Sequence, residues 1–313
     1  MRQRIKQFVS IWFIVFIVLS SPVGAQGERD SLIIRYFNLE VENQENLPPH
    51  IDPDVTSGDV ILITTPEGQN LLIDATVPHL GTALQTRLEE LGVTRLDYAF
   101  ATHPHVDHIG GYLTLLKTME IGTFYQIHVP YESSSYYRQL QQLIKDRDIQ
   151  IQYLEQGDIL QIGEDITLEV LNPPKGTSPE TIPPLENLST AVVNDLSLVM
   201  RLDFGEFSML FCGDIYMGRE MELLDQYEPE KLKVDILDVP HHGCISSSST
   251  LFIATTNPQY AIMSMDGVCS MDVYNKYGRF GVEVLVTGYN GEITIVSDGK
   301  EFTITTERDY VSR

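Results

Sequence analysis

Between positions 102 and 111 the chain reads Thr-His-Pro-His-Val-Asp-His-Ile-Gly-Gly, so three of its eight histidines and a carboxylate fall within six residues. Imidazole and carboxylate are natural ligands for zinc or manganese. The run follows a short apolar stretch, Asp97–Ala101, that reads as a strand, and a helix is expected after Gly111. His103 and His105 sit two apart and can face the same way from an extended loop, and Asp107 and His108 can then turn toward a second ion. Gly110 and Gly111 let the backbone enter the helix sharply. A chain built around this run has to bring further donors to the end of that strand.

Those donors stand at two other predicted strand ends. Phe207–Cys212 is followed by Gly213-Asp214, where a carboxylate can bridge two ions. Val234–Val239 is followed by Pro240-His241-His242-Gly243, which supplies two more imidazoles. Around them strands and helices alternate from residue 31 onward. Leu84, Leu88 and Leu91 recur at helical spacing before Gly92, Tyr136, Leu140 and Ile144 mark a second helix, and others are expected over Tyr216–Gln226 and Ser249–Thr255. Strands are expected over Leu32–Leu39 and, toward the end, over Val282–Thr287, Ile293–Ser297 and Phe302–Thr306. Residues 172–190 carry five prolines and read as a long loop. This order fits an α/β (α+β) chain folded as a four-layer αββα sandwich, although pattern alone permits other layered arrangements.

The Thr-His-x-His-x-Asp-His-x-Gly-Gly run, with Gly-Asp and His-His-Gly downstream, resembles the metallo-β-lactamase superfamily, and more narrowly the hydrolase domain of ComEC-type DNA-uptake proteins. The narrower likeness is carried by Gly58-Asp59-Val60-Ile61-Leu62-Ile63, Leu72-Ile73-Asp74-Ala75, Asn194-Asp195-Leu196-Ser197-Leu198-Val199 and Ser246-Ser247-Ser248 behind the second histidine pair. The resemblance implies the metallo-β-lactamase fold and two divalent ions, Zn2+ or Mn2+. His103 and His105 would hold the first, Asp107, His108 and His242 the second, and Asp214 would bridge. His241 would face substrate, with the reverse assignment of the pair left open, and Asp74 would orient the histidine loop.

The chain also departs from the family. Asn194 and Asp195 stand where many members supply a third histidine to the first ion, which puts them beside the ligands or the substrate. An insertion over about residues 42–57 interrupts the usual Gly-rich loop. Tyr277-Gly278-Arg279-Phe280 replaces the family's Tyr-Gly-His-Pro, and the helix expected next is not evident. Of the three cysteines, the family's layout brings Cys244 and Cys269 close enough to pair and leaves Cys212 as a buried thiol.

Two such ions generate a hydroxide nucleophile near neutral pH. Asp107 beside that hydroxide and His241 beside the leaving oxygen are the catalytic candidates. The expected activity is hydrolysis of a phosphoester, foremost a phosphodiester in nucleic acid, a nucleotide or a phosphocholine-type group. The alternatives are a β-lactamase- or lactonase-like hydrolase of amides or esters, and a non-catalytic, metal-stabilised binding protein.

Charge and the amino terminus bound the setting. Arg2, Arg4 and Lys6 precede an apolar run, Phe8–Leu19, and Val23-Gly24-Ala25 fits a small-residue cleavage site. This is the order of a secretory signal peptide, and the run is shorter than the roughly 17–25 residues that span a bilayer. The expected organisation is a signal over residues 1–25 and a hydrolase domain over 26–313, secreted to the periplasm or beyond, with no stable membrane span after cleavage. Loss of the signal takes the formal charge from −23 to −26. Such a charge repels long polyanions and argues against tight non-specific binding of DNA. No motif points to a protein partner. Amino-terminal sequencing of exported protein should begin at or near Gln26; recovery of the full-length chain in membranes would contradict this.

Overall fold

Strands that are apolar on both faces have to be covered on both faces, and that requirement accounts for the layers. The structure is a computed structural model described over residues 31–39, 58–183 and 188–309. The expected signal and the insertion over 42–57 lie outside these residues. In chain order, β1 (Leu32–Tyr36), β2 (Ile61–Thr64), β3 (Asn70–Ile73), β4 (Arg95–Ala101), β5 (Glu120–Gln126) and β6 (Gln150–Tyr153) belong to the first sheet. The second sheet takes β7 (Ile159–Ile162), β8 (Ile166–Asn172), β9 (Val199–Phe204), β10 (Phe207–Phe211), β11 (Ile236–Asp238), β12 (Tyr260–Met263) and β13 (Glu283–Val286). The chain then returns to the first with β14 (Ile293–Ser297) and β15 (Phe302–Thr306), beside β1.

Alternation along each strand divides the core in three. Ile61, Ile63 and Phe100 meet Met209, Phe211 and Ile236 between the sheets. Leu62, Ala99 and Phe124 face outward and are covered by α1 (Gly81–Glu90), α3 (Tyr112–Thr118) and α4 (Ser135–Asp146), the last two following the single turn α2 (Val106–Ile109). On the far face Leu210, Leu237 and Ala261 lie under helices that follow the short α5 (Thr190–Asp195). These are α6 (Met217–Gln226), α8 (Thr250–Thr256) and α9 (Met271–Arg279), with single turns at α7 (Pro229–Leu232) and α10 (Thr287–Asn290). The result is the four-layer αββα sandwich of the metallo-β-lactamase fold.

Direction matters more than layering for the site. β3 to β6 run parallel, as do β10 to β13, so their carboxyl ends share an edge in each sheet. The histidine run leaves the end of β4, Asp214 follows β10, and His241-His242 follow β11. β2 is antiparallel to β3 and β9 to β10, so Asp59 just before β2 and Asn194 at the end of α5 before β9 reach the same edge.

Two differences from the sequence reading have local causes. A helix, α9, occupies Met271–Arg279 and ends on the Tyr277-Gly278-Arg279 motif, ahead of the place where a helix was sought. Its signals are Ser270, whose hydroxyl caps the backbone N–H of Val273, and the buried pair Val273 and Tyr277 one turn apart. The first strand ends at Tyr36 rather than Leu39 because Phe37 and Leu39 are buried against the outer helices without continuing the ladder.

The turn into α3 depends on close backbone approach. Gly111 N–H donates to Ala75 O at 2.6 Å, and a Cβ at Gly111 would collide with that carbonyl oxygen. Gly111→Ala should therefore lose about 1–3 kcal/mol of stability, the usual cost of overpacking, measured by urea denaturation; an unchanged midpoint would show that the turn yields freely.

Candidate metal centre

His103, His108, His241 and His242 each have one ring nitrogen engaged behind them and the other turned inward. His242 Nδ1 lies 3.0 Å from the carbonyl oxygen of Ser264. A carbonyl only accepts, so Nδ1 carries a proton and Nε2 is the nitrogen left to face the cluster. His108 Nδ1 lies 2.7 Å from Asp74 Oδ2. Thr102 links His103 to the same carboxylate: its hydroxyl sits 3.2 Å from His103 Nδ1 and donates to Asp74 Oδ2 at 2.6 Å, while its N–H donates to Asp74 Oδ1 at 2.7 Å. Such outer contacts fix the tautomer and aim of metal-binding imidazoles. Asp74, which has a left-handed backbone at φ 58, is fully buried.

The inward nitrogens converge on Asp214. Its Oδ2 lies 3.5 Å from His108 Nε2, 3.7 Å from His103 Nε2 and 3.8 Å from His241 Nε2, and its Oδ1 lies 3.5 Å from His242 Nε2. Asp107 Oδ2 is 3.8 Å from His108 Nε2 and 3.9 Å from His242 Nε2. One atom each of Asp107, His108, Asp214 and His242 fall within 4.8 Å of one another. Beside them His103 Nε2 and His105 Nδ1 face each other at 3.0 Å.

Burial and charge explain why this arrangement fits a cation. Burial opposes charge on Asp214, yet His242, His108 and His103 hold its carboxyl well below the usual range. Burial likewise opposes protonation of His108 and His242, but Asp214 and its neighbouring carboxylates raise both, His242 to about 10. His103, His105 and His241 are lowered, chiefly by burial. The edge thus carries a negative potential strong enough to protonate imidazoles that would otherwise be neutral, and divalent ions would satisfy it better than protons do. Within the donor set, His105 Nε2, His108 Nε2 and Asp214 Oδ1 are buried without a hydrogen-bond partner. An orphaned imidazole nitrogen and carboxylate oxygen at the focus of a donor set fit a divalent ion, which would satisfy both.

The remaining candidates fall around this focus. His241 is half-buried, with Nδ1 2.5 Å from Ser246 Oγ and its ring 4.8 Å from that of Tyr216. Asn194 is buried, donates from Nδ2 to Tyr216 Oη at 3.3 Å, and leaves Oδ1 unpartnered. Asp195 turns away and accepts from the N–H of Tyr216 at 2.9 Å. Sequence reasoning assigned no role to Thr102, Asp59, Tyr216, Ser246 or Ser264. Asp59 approaches His242 Nδ1 at 3.3 Å, a contact that only its place in the Gly58-Asp59 motif could have suggested. Ser264 acts through its backbone and leaves no trace in side-chain identity.

A sandwich with this donor set at the carboxyl ends of its strands defines a class of metalloprotein, and the sequence agrees. The sequence profile of the metallo-beta-lactamase superfamily matches residues 53–267, and the chain belongs to that superfamily. It is similar to ComE operon protein 3 of Bacillus subtilis (strain 168), 31% identical over 209 residues that cover 64% of this chain and 25% of the relative. It is also similar to competence protein ComA of Neisseria gonorrhoeae, 24% identical over 245 residues that cover 77% of this chain and 31% of the relative. The chain thus spans only a quarter to a third of the length of these relatives. Among solved structures, a mutant of CmlA beta-hydroxylase superposes with a TM-score of 0.50 at 12% identity, covering 84% of this chain and 53% of that one. That likeness concerns the fold; the fold by itself does not name a reaction.

Asp74 accepts with both oxygens, so Asp74→Asn would turn an amide donor toward Thr102 or His108. Metal affinity should fall about 10–100-fold, as read by competition with a chromophoric chelator; unchanged affinity would leave Asp74 without a part in the site.

Proposed function

We propose that the chain is a metal-dependent phosphoesterase acting on phosphodiesters, such as those of nucleic acids or nucleotides, outside the cytoplasm. The observation that carries the reading is Asp214, a buried carboxylate within 3.8 Å of four imidazoles and shared between two donor sets. His103, His105 and Asp214 would hold one ion, and Asp107, His108, Asp214 and His242 the other. Bound as a pair, the ions supply a nucleophile from water at neutral pH and offset charge on phosphoryl oxygens. Zn2+ and Mn2+ both suit these nitrogen and oxygen donors.

The chain's own groups do the rest. Ser246 Oγ lies 2.5 Å from His241 Nδ1 while Nε2 faces the cluster, and in the tautomer where the hydroxyl donates, the ring proton sits on Nε2. From there it can hydrogen-bond a leaving oxygen. Asp107, the most open of the carboxylates in the cluster with its side chain 38% exposed, is placed to orient the attacking water. The motif resemblance to the hydrolase domain of ComEC-type DNA-uptake proteins supports a nucleic-acid or nucleotide substrate. Export is supported by the Cys244–Cys269 disulfide, a bond typical of oxidising compartments. Among the described residues no helix is long and apolar enough to cross a membrane.

The test is hydrolysis of bis-p-nitrophenyl phosphate, a lactone and a cephalosporin by chelator-treated protein, with and without added Zn2+ or Mn2+. Metal-dependent cleavage of the phosphodiester is expected, and cleavage of the lactone or cephalosporin alone would overturn the substrate class. His241→Ala should keep both metals and lose about 10²–10⁴ in rate, the range for general acid–base help. Asp214→Asn should lose metal and more rate. If Asp214→Asn kept both metals and full rate, the shared-carboxylate arrangement would be wrong.

A further inference from the structure

His242 reaches the cluster from backbone that residues with side chains seldom adopt. His241, His242 and Gly243 have φ values of 49, 52 and 75 in succession. Left-handed residues persist only where their surroundings impose them. The strand β11 has already ended at Asp238. The turn is tied on one side by His241 N–H donating to Gly213 O and Cys244 N–H donating to His241 O, both at 2.9 Å. On the other side it leans on residues 264–270, which join β12 to α9 and provide the Ser264 carbonyl that orients His242. That segment is itself fixed to α10, through Met265 N–H to Thr287 Oγ1 at 2.9 Å and Gly288 N–H to Met265 O at 2.7 Å. The Cys244–Cys269 bond joins these same two segments, two residues beyond His242, with Cα atoms 4.9 Å apart.

We propose that the Cys244–Cys269 disulfide is a positioning element for His242, so that full affinity for the second ion belongs to the oxidised chain. A dithiol reductant would attack one sulfur, break the S–S bond and leave two cysteine thiols, itself becoming a cyclic disulfide. The turn would then be free to leave its left-handed conformation, and His242 Nε2 would no longer be held over Asp214 and Asp107. His103 and His105 hang from β4 in the other sheet, and no covalent tie connects them to this turn. The effect therefore concentrates on one ion of the two. A chain still reduced would load its second ion poorly, and metal capture would follow oxidation.

The inference rests on the two-ion reading, and one experiment separates their failures. Oxidised full-length protein, stripped with chelator, is titrated anaerobically with Zn2+ against a chromophoric chelator. The same titration follows reduction with dithiothreitol and its removal, then reoxidation. The Cys244→Ser/Cys269→Ser double variant, checked for folding by circular dichroism, is titrated in parallel. The oxidised protein should bind two ions; fewer would sink the two-ion reading itself. Reduction should weaken one of them about 10–100-fold, the range for contacts that orient ligands, and reoxidation should restore it. The double variant should match the reduced protein. Equal, tight binding of both ions by oxidised and reduced wild type would overturn the inference, and this comparison stands even if the variant fails to fold.

Discussion

Carboxylates held out of water need positive partners, and the one at the centre of this structure, Asp214, finds them only in histidines. The ion pairs of Asp59, Asp74, Asp107 and Asp214 go to imidazoles rather than to lysine or arginine. An imidazole is a conditional cation. It balances a carboxylate only when it carries a proton or shares a metal, so the edge is electrostatically complete in one of those two states alone. With several imidazoles crowded around one carboxylate, protonating them all sets like charges against one another, which adds to the burial that already lowers His103 and His105. Two divalent ions, as proposed, would resolve that conflict and leave each ring neutral.

The fold serves this requirement through strand direction. Parallel strands in both sheets deliver side chains at their carboxyl ends, and a core of Ile, Phe and Met between the sheets sets the separation across which those side chains meet. A polar bond backs up that separation. Tyr36, on β1 of the first sheet, donates from its hydroxyl to Asp238 on β11 of the second at 3.0 Å, and Asp238 also accepts from the N–H of Cys212. Burial and the nearby Asp59 push the carboxyl of Asp238 well above its ordinary range.

The donors nearest in sequence were the easiest to read. His103, His105, Asp107 and His108 announce themselves because a single loop carries them, and Asp214 and His242 because each follows an apolar run. The contacts that aim these side chains were legible only in part. Asp74 and His108 are 34 residues apart, and pattern alone does not connect them; likeness to a family did. Ser264 offers a backbone oxygen, which any residue would have provided. Strand ends ran long in the sequence reading because burial continues past the last ladder pair, as at Phe37, Leu39 and Val239. The polar face of α9 hid a helix whose buried stripe is only Val273 and Tyr277.

The donors come from both sheets, which share a core but, among the described residues, no ladder. An ion held, as proposed, by His108 and His242 would therefore act as a rivet between two halves of the molecule. It fastens positions 134 apart in the chain, and the unfolded polypeptide has no comparable way to hold it. Occupancy and folding are thus linked by mass action: scarcity of metal would be felt first as a loosening of the seam between the sheets, before either half lost its own hydrogen bonds.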